Sequence, residues 1–389
     1  MRALTLLLLA STALQGYSVL SHEAIVDSMY DKRIVPLLRQ RFPQADPDTL
    51  KNARAYAYGG CIIQDMGYYP FGNKWFSDLV HYVKSGDFVD NLIDEAQDPN
   101  EYAFALGALA HYVADSYGHP LATNRSVPLL YPKEARKYGK NMTYEDFPVG
   151  HIQTEFAFDV LQVANGLYAS DQYHAFIGFE VAKPLLERAF LKTYGIELKD
   201  VFKSLDLALG TYRHTVSQII PSMTKVALAT REKQLQQVNP KFDRKTFRYL
   251  YTQRQYDKEY GKNYYHPGCG SRLLAWVLRI VPKIGPFRAL AFKPPTPEVD
   301  KIFLESLKVT LQHYEERLTE VGAGKLKLPN RNLDTGQLAK PGDYRMADEA
   351  EKKLQEKLSA SQSTPTSDHP PLRQSTSAPC GPPPAAQSP

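Results

Sequence analysis

Histidine is scarce in this chain, yet three histidines stand at spacings that could hold a metal ion. The sequence has ten histidines among 389 residues. His111, Asp115 and His119 are four residues apart in one predicted helix, which places their side chains on one face. A second predicted helix begins with His151 and Glu155, again four apart. Each pair could hold a single ion from one face of its helix.

The helix that carries His111, Asp115 and His119 is largely apolar, so these three side chains are expected inside the protein. Buried ionisable groups are costly unless they are paired or bound to a metal. For a single pair, a hydrogen-bonded His/Asp contact in the core is the simpler explanation. Five potential ligands on two helices favour a metal site.

Three isolated residues upstream are further candidates: His22, Asp65 and His81. Asp65 lies where a predicted helix turns into a loop rich in glycine, tyrosine and proline, so its carboxylate could point into a cleft. Taken singly, such an Asp is usually a helix cap and such a His is usually structural. Their order along the chain, however, supports all three as candidate metal ligands.

That order, a His near the N-terminus, then Asp, His, H-x3-D-x3-H and H-x3-E, resembles the zinc-dependent phospholipases C and single-strand-specific zinc nucleases. The resemblance covers roughly Tyr17 to Tyr168. The H-x3-D-x3-H form is most similar to the N-terminal domain of glycosylphosphatidylinositol-specific phospholipase D and its bacterial relatives. In the bacterial phospholipases C, the third ligand of this helix comes two residues later.

The resemblance implies an all-α, multi-helix bundle with three zinc ions in its interior. One ion would be held partly by the α-amino group and carbonyl of the first mature residue, expected to be Tyr17, where the family usually has Trp. Processing after Ala13 stays open, because small residues precede that bond. The implied ligands are Asp65, His81, His111 and Asp115 for the first ion; His119, His151 and Glu155 for the second; and Tyr17, His22 and a bridging Asp115 for the third.

Histidine nitrogens and carboxylates without thiolate suit zinc and disfavour calcium or magnesium, whereas iron and manganese stay open. A zinc-bound water would ionise near neutral pH and attack phosphorus while zinc neutralises the phosphate oxygens. By resemblance, Asp65 would double as the general base.

The expected function is therefore that of a zinc-dependent phospholipase C acting on glycerophospholipids. The alternatives are a single-strand nuclease or nucleotidase of the same superfamily, and a non-catalytic lipid-binding or surface-binding protein that the metals stabilise. The net charge of +5 is spread along the chain, so no specific nucleic-acid partner is expected. The expected partner is a phospholipid or a membrane surface.

The chain begins like a secretory signal peptide, with Arg2 followed by an apolar run from Ala3 to Leu14. Residues 1–16 are expected to be removed, although an uncleaved anchor is the alternative. No later apolar run reaches the roughly 18 residues of a membrane-spanning helix. An exported product, periplasmic or extracellular, is expected, which could associate with a membrane surface.

Apolar residues three and four apart predict helices over 17–320, with the motifs in 17–168 and a helical extension over 169–320. From about residue 321 the composition becomes polar and proline-rich. We expect a disordered, low-complexity tail over 321–389, apart from a charged helix near 346–358.

Three further features allow two interpretations each. The basic, apolar segment 272–293 could lie at an anionic lipid interface or form a buried helical hairpin. The tyrosines around Asp65 could line a pocket or pack between helices. The three cysteines exclude a disulfide scaffold but permit one bridge, such as Cys61 to Cys269.

Overall fold

Polar side chains at their first residues determine where several helices begin. In the computed structural model, Asp46 accepts the backbone N–H of Thr49 at 2.7 Å, and Asp98 accepts the N–H of Glu101 at 2.9 Å. A proline follows each cap at the first helical position, where its missing N–H costs no hydrogen bond. These caps start two helices that carry or support the predicted metal ligands.

The structure describes residues 18–168, 179–238 and 289–363. Within these ranges there is no strand, only one isolated bridge between Arg331 and Leu338, and the all-α prediction is confirmed. The α-helices are α1 (Val19–Met29), α2 (Val35–Arg41), α3 (Pro47–Gly60), α4 (Lys74–Tyr82), α5 (Ser85–Glu95), α6 (Pro99–Gly118), α7 (Asn124–Leu130), α8 (Pro132–Tyr138), α9 (Pro148–Ala164), α10 (Lys183–Tyr194), α11 (Leu205–His214), α12 (Ile220–Thr230), α13 (Glu232–Val238), α14 (Pro297–Gly322) and α15 (Arg345–Ser363).

Helix α6 lies at the centre, and α1, α3, α5 and α14 pack against it. Its crossing with α3 is close because Gly60 faces it: a Cβ there would lie 1.9 Å from the carbonyl oxygen of Phe104. Only glycine permits that approach of two backbones. The crossing brings the end of α3 and the following 3-10 turn, Ile63–Tyr68, beside the middle of α6.

One continuous apolar core joins residues from Val19 to Leu354. It includes side chains of α10 to α12, such as Phe190 and Tyr212, and of α14, such as Phe303. The described part of the predicted extension therefore packs into the same core as the N-terminal helices.

Outside the charged helix expected near 346–358, the prediction of disorder from residue 321 is wrong as far as residue 363. Helix α14 continues to Gly322, the C-terminal strap (residues 325–344) follows, and α15 then packs on α4. The indole N–H of Trp75 in α4 donates to the carbonyl oxygen of Ala350 at 3.0 Å. The charged helix expected near 346–358 is confirmed as part of α15.

The strap is ordered because hydrogen bonds to the bundle hold it, which a polar composition does not reveal. The side-chain oxygen of Asn330 accepts the backbone N–H groups of Gly86 and Asp87 at 3.0 Å each. The hydroxyl of Tyr112 donates to the carbonyl oxygen of Pro329 at 2.6 Å. Composition measures how much apolar surface a segment can bury, whereas these contacts depend on the folded partner.

Several predictions fall outside the described residues. These are the signal peptide and Tyr17, most of the segment 272–293, Cys269 with its bridge to Cys61, and the tail 364–389. At the described end of that segment, Phe292 is buried against Phe156. Among the described helices, none is long and apolar enough to cross a bilayer.

Replacing Leu354 tests the packing of α15. Leu354 is 1% exposed, so Leu354→Ala should lower the free energy of unfolding by about 2–5 kcal/mol. The matched control is Leu338→Ala in the strap, where the side chain is 51% exposed and the change should stay within about 0.5 kcal/mol. Urea denaturation measures both, and equal stabilities of the two variants would contradict the packing.

Candidate metal centre

The structure brings together eight of the nine predicted metal ligands, and all eight are buried. The ninth, Tyr17, lies outside the described residues. Each of the eight comes from an element of the N-terminal bundle: His22 from α1, Asp65 from the 3-10 turn, His81 from α4, His111 and Asp115 from α6, His119 from the π-helical turn after α6, and His151 and Glu155 from α9.

Asp115 lies at the middle of the cluster, with imidazoles near both of its oxygens. Its Oδ1 is 3.4 Å from Nε2 of His22 and 3.7 Å from Nε2 of His119. Its Oδ2 is 3.1 Å from Nε2 of His111 and 3.5 Å from Nε2 of His81. One carboxylate therefore faces three parts of the cluster, as a bridging ligand must.

A second part of the cluster joins α9 to the turn after α6. Nε2 of His119 lies 3.4 Å from Oε1 of Glu155, and Nε2 of His151 lies 2.7 Å from the same oxygen. In both helices, therefore, side chains four residues apart lie beside each other, as predicted.

The ligand atoms form three groups, and within each group they lie within 4.8 Å of one another. Two of the groups fall within the sets implied for the first and second ions. The third joins α1 to α6 and includes His111 as well as the implied His22 and Asp115. The groups are Asp65 with His81 and His111; His119 with His151 and Glu155; and His22 with His111 and Asp115.

The spacing of these atoms fits tetrahedral zinc. Zinc holds nitrogen and oxygen ligands at about 2.0–2.2 Å, which separates neighbouring ligand atoms in a tetrahedron by about 3.3–3.6 Å. Nε2 of His81 lies 3.3 Å from Oδ1 of Asp65 and 3.1 Å from Nε2 of His111. The distances of 3.1 Å between His81 and His111 and of 2.7 Å between His151 and Glu155 are shorter than that range and would have to widen around an ion.

Buried polar atoms without hydrogen bonds give a second test of the fit. Both oxygens of Asp115, Oδ1 of Asp65 and Oε1 of Glu155 make no hydrogen bond, although nitrogens lie close to them. Both ring nitrogens of His119 and both of His151 are likewise buried and make no hydrogen bond. Such atoms cost free energy unless a ligand satisfies them, and a cation in each group would do so for the carboxylate oxygens and for one nitrogen of each ring. The residues present therefore fit zinc.

The charges of the cluster depend strongly on one another. Burial by itself raises the pKa of Asp115, but His111 and His119 outweigh it and hold that pKa well below its usual value. Burial lowers the pKa of His81, whereas the carboxylates of Asp115 and Asp65 raise it to about 10. Without a cation, His81 therefore holds a proton that a metal ion must displace.

Glu155 shows the opposite balance. Burial raises its pKa well above the usual value, and His119 beside it opposes that shift only in part. A buried carboxyl of this kind gives up its proton readily only when a cation compensates the charge.

Two of the histidines are oriented by backbone carbonyls behind their rings. Nδ1 of His81 lies 2.8 Å from the carbonyl oxygen of Ser77, and Nδ1 of His111 lies 2.9 Å from that of Cys61. A carbonyl only accepts, so Nδ1 carries the proton in both rings. Nε2, which faces the cluster, is then the nitrogen with a lone pair for a metal.

Asp159 holds the start of α1, and sequence reasoning missed it. Its carboxylate accepts the N–H of Leu20 at 2.8 Å, and the N–H and hydroxyl of Ser21 at 3.1 and 2.7 Å. Burial raises its pKa to about 6, although the bonds from Ser21 oppose the shift. The pattern contained a signal, because Asp159 follows Glu155 at the same spacing of four.

Asp334 in the strap was also missed. Its Oδ1 lies 3.7 Å from Nδ1 of His119, and its Oδ2 accepts the N–H of Tyr144 at 2.9 Å and the hydroxyl of Tyr344 at 2.8 Å. The polar composition of residues 321–389 predicts a disordered tail at this position. The turn motif Asn332-Leu333-Asp334-Thr335-Gly336 is the only local signal.

The tyrosines around Asp65 are used mainly for packing. Tyr58 donates to Asp27 at 2.8 Å, and Tyr69 packs edge-on against Tyr212. Tyr68 is buried too, but its ring lies 6.1 Å from that of His81 and so borders the cluster.

Comparison with known proteins gives one family match. A family model described as zinc dependent phospholipase C matches residues 21–204. No curated protein and no solved structure matches the chain. The matched residues include all eight candidate metal ligands.

Adding zinc should stabilise the protein, because the ion binds a site that exists only in the folded state. Zinc at about 100 times its dissociation constant adds about 2.7 kcal/mol to the free energy of unfolding. Affinity should fall as the pH decreases from 8 to 6, because protons compete for the histidines. The measurement is thermal unfolding with zinc, and with magnesium at equal concentration as the control. Equal stabilisation by magnesium would contradict a nitrogen-rich site.

Proposed function

Residues 21–204 belong to the zinc-dependent phospholipase C family, and from this we propose that the chain is a phospholipase C that hydrolyses glycerophospholipids. The family match supports a phospholipase C-like zinc phosphodiesterase. The substrate, the ligand set, the number of three ions and the mechanism are our proposal.

The observation that carries the proposal is the convergence of three ligand groups around Asp115. Phosphate esters carry negative charge on several oxygens, so adjacent cations can neutralise the attacked phosphate and the leaving oxygen together. Asp115 has an oxygen within 3.7 Å of a histidine nitrogen in each of the three groups, so cations held by these groups would lie close enough for both tasks.

Bound zinc supplies a Lewis acid that lowers the pKa of water and stabilises charge on phosphate oxygens. The chain's own residues do the remaining work. We assign Asp65 as the proton acceptor for the attacking water, because its buried Oδ1 makes no hydrogen bond and lies at the edge of the cluster. Nε2 of His81 lies 3.3 Å from the same oxygen.

Aromatic rings around the cluster keep bulk water away from it. The ring of Tyr144 lies 5.7 Å from that of His151, and Tyr68 borders His81 on the other side. Excluding water strengthens every electrostatic interaction between the site and a phosphate.

A phospholipid is preferred over a nucleic acid on two grounds. The formal charge of +5 is modest for 389 residues, whereas nucleic-acid binding relies on clustered basic residues. The H-x3-D-x3-H spacing also resembles the lipid-cleaving branch of the superfamily. We propose that the protein is exported and acts at a membrane surface.

Replacing ligands should remove activity and zinc together. We expect Asp115→Asn and His151→Ala to reduce release of the phosphorylated headgroup from phosphatidylcholine micelles to background. Bound zinc, measured by mass spectrometry, should fall in both variants, because each change removes a ligand from a buried group. The matched control is His214→Ala on the exposed end of α11, which should keep wild-type activity and zinc.

The same preparations should be assayed on single-stranded DNA. Full activity of either ligand variant at wild-type zinc content would refute the mechanism. Hydrolysis of DNA without hydrolysis of phospholipid would identify a nuclease instead. Zinc binding without hydrolysis of either substrate would indicate a non-catalytic, metal-stabilised protein.

A further inference from the structure

Asp334 lies behind His119, on the side of the ring away from the ligand cluster. Nε2 of His119 faces Glu155 and Asp115, whereas Nδ1 faces Oδ1 of Asp334 at 3.7 Å. Both Nδ1 of His119 and Oδ1 of Asp334 are buried, and neither makes a hydrogen bond. A shift of roughly 0.8 Å would bring the pair to hydrogen-bond distance and satisfy both atoms.

The two oxygens of Asp334 have different surroundings. Oδ2 is used structurally, because it accepts from the backbone of Tyr144 and from the hydroxyl of Tyr344. Oδ1 has no such partner and lies toward the imidazole. The carboxylate is therefore fixed by one oxygen and leaves the other for His119.

The chain around Asp334 holds it firmly in place. The carbonyl oxygen of Asp334 accepts the side-chain N–H of Asn124 at 2.8 Å, and the N–H of Leu333 donates to the carbonyl of His81 at 3.1 Å. Gly336 has a φ of 70°, and a Cβ there would lie 2.4 Å from the carbonyl oxygen of Ser116. The turn thus fits closely against the end of α6, where His119 follows.

The other histidines of the cluster can be compared with His119 by the group that faces Nδ1 of each ring. His81 and His111 each have a backbone carbonyl at Nδ1, which leaves Nε2 for the metal. His119 has a carboxylate in the corresponding position, and a carboxylate both fixes the tautomer and raises the basicity of the ring.

We infer that Asp334 is a positioning residue that accepts the Nδ1–H of His119 and directs its Nε2 at the ion shared with His151 and Glu155. The inference rests on the proposed function. It makes the C-terminal strap, which lies outside the family match, a part of the metal site. Asp334 touches neither substrate nor metal and acts through His119.

The test is zinc affinity of the full-length protein, measured by competition with a chromophoric chelator. In Asp334→Asn, one amide oxygen can still accept from Tyr144 and Tyr344, while the amide N–H₂ then faces Nδ1. That contact favours the tautomer with a proton on Nε2, which cannot bind zinc. The ion held by His119, His151 and Glu155 should therefore dissociate about 10–100 times more readily than in wild type.

Two controls separate positioning from simple anchoring of the strap. Asp343→Asn makes the same chemical change at an exposed residue of the strap. Tyr344→Phe removes one hydrogen bond to Oδ2 but keeps the carboxylate. Both variants should bind zinc like wild type, and a loss in Tyr344→Phe equal to that in Asp334→Asn would overturn the inference.

A second measurement uses the wild-type protein and so does not depend on a variant that folds. Nitrogen-15 NMR of the zinc-loaded protein should show Nε2 of His119 bound to zinc and a protonated Nδ1. Zinc on Nδ1, or wild-type zinc affinity in Asp334→Asn, overturns the inference and leaves the proposed function intact. A wild-type protein that binds no zinc overturns both.

Discussion

The rest of the structure depends on one electrostatic constraint, the burial of a carboxylate among imidazoles. Four histidine nitrogens lie within 3.7 Å of the oxygens of Asp115, and all five residues are buried. In such surroundings only opposite charges in contact, or bound cations, compensate the lost hydration. The glycine contact between α3 and α6 and the carbonyls behind His81 and His111 hold the groups in register with one another.

The site residues that can be predicted from sequence alone are those that lie four apart on one helix. A repeat of four residues places His111 and Asp115, or His151 and Glu155, on one face whatever the surrounding fold. His22, Asp65 and His81 lie on three other elements, and no spacing relates them to the first four. Their assignment came from the order of residues in a family pattern, and the structure brings them to the same cluster.

The part that sequence did not reveal is held by tertiary contacts without periodicity. The strap contains few apolar residues, and its order comes from donors and acceptors on α5 and α6. Asp334 therefore carried no sign of burial in its own neighbourhood. Asp159 is different, because it continues the spacing of its helix, and only its partner Ser21 was unforeseeable. Local composition does not predict that a segment far away in the sequence will bury a residue.

The strap also bears on the order in which the molecule assembles. Its bonds to Tyr144 and Asn124 join residues 190 and 210 positions apart, and contacts so distant along the chain form slowly. The bundle that carries His119 can therefore collapse before the strap docks over it. An ion would then have open access to His119 during that interval, and its later release would require local unfolding of the docked strap. The time for which the metal stays bound would then depend on the rate of this local unfolding as well as on the equilibrium affinity.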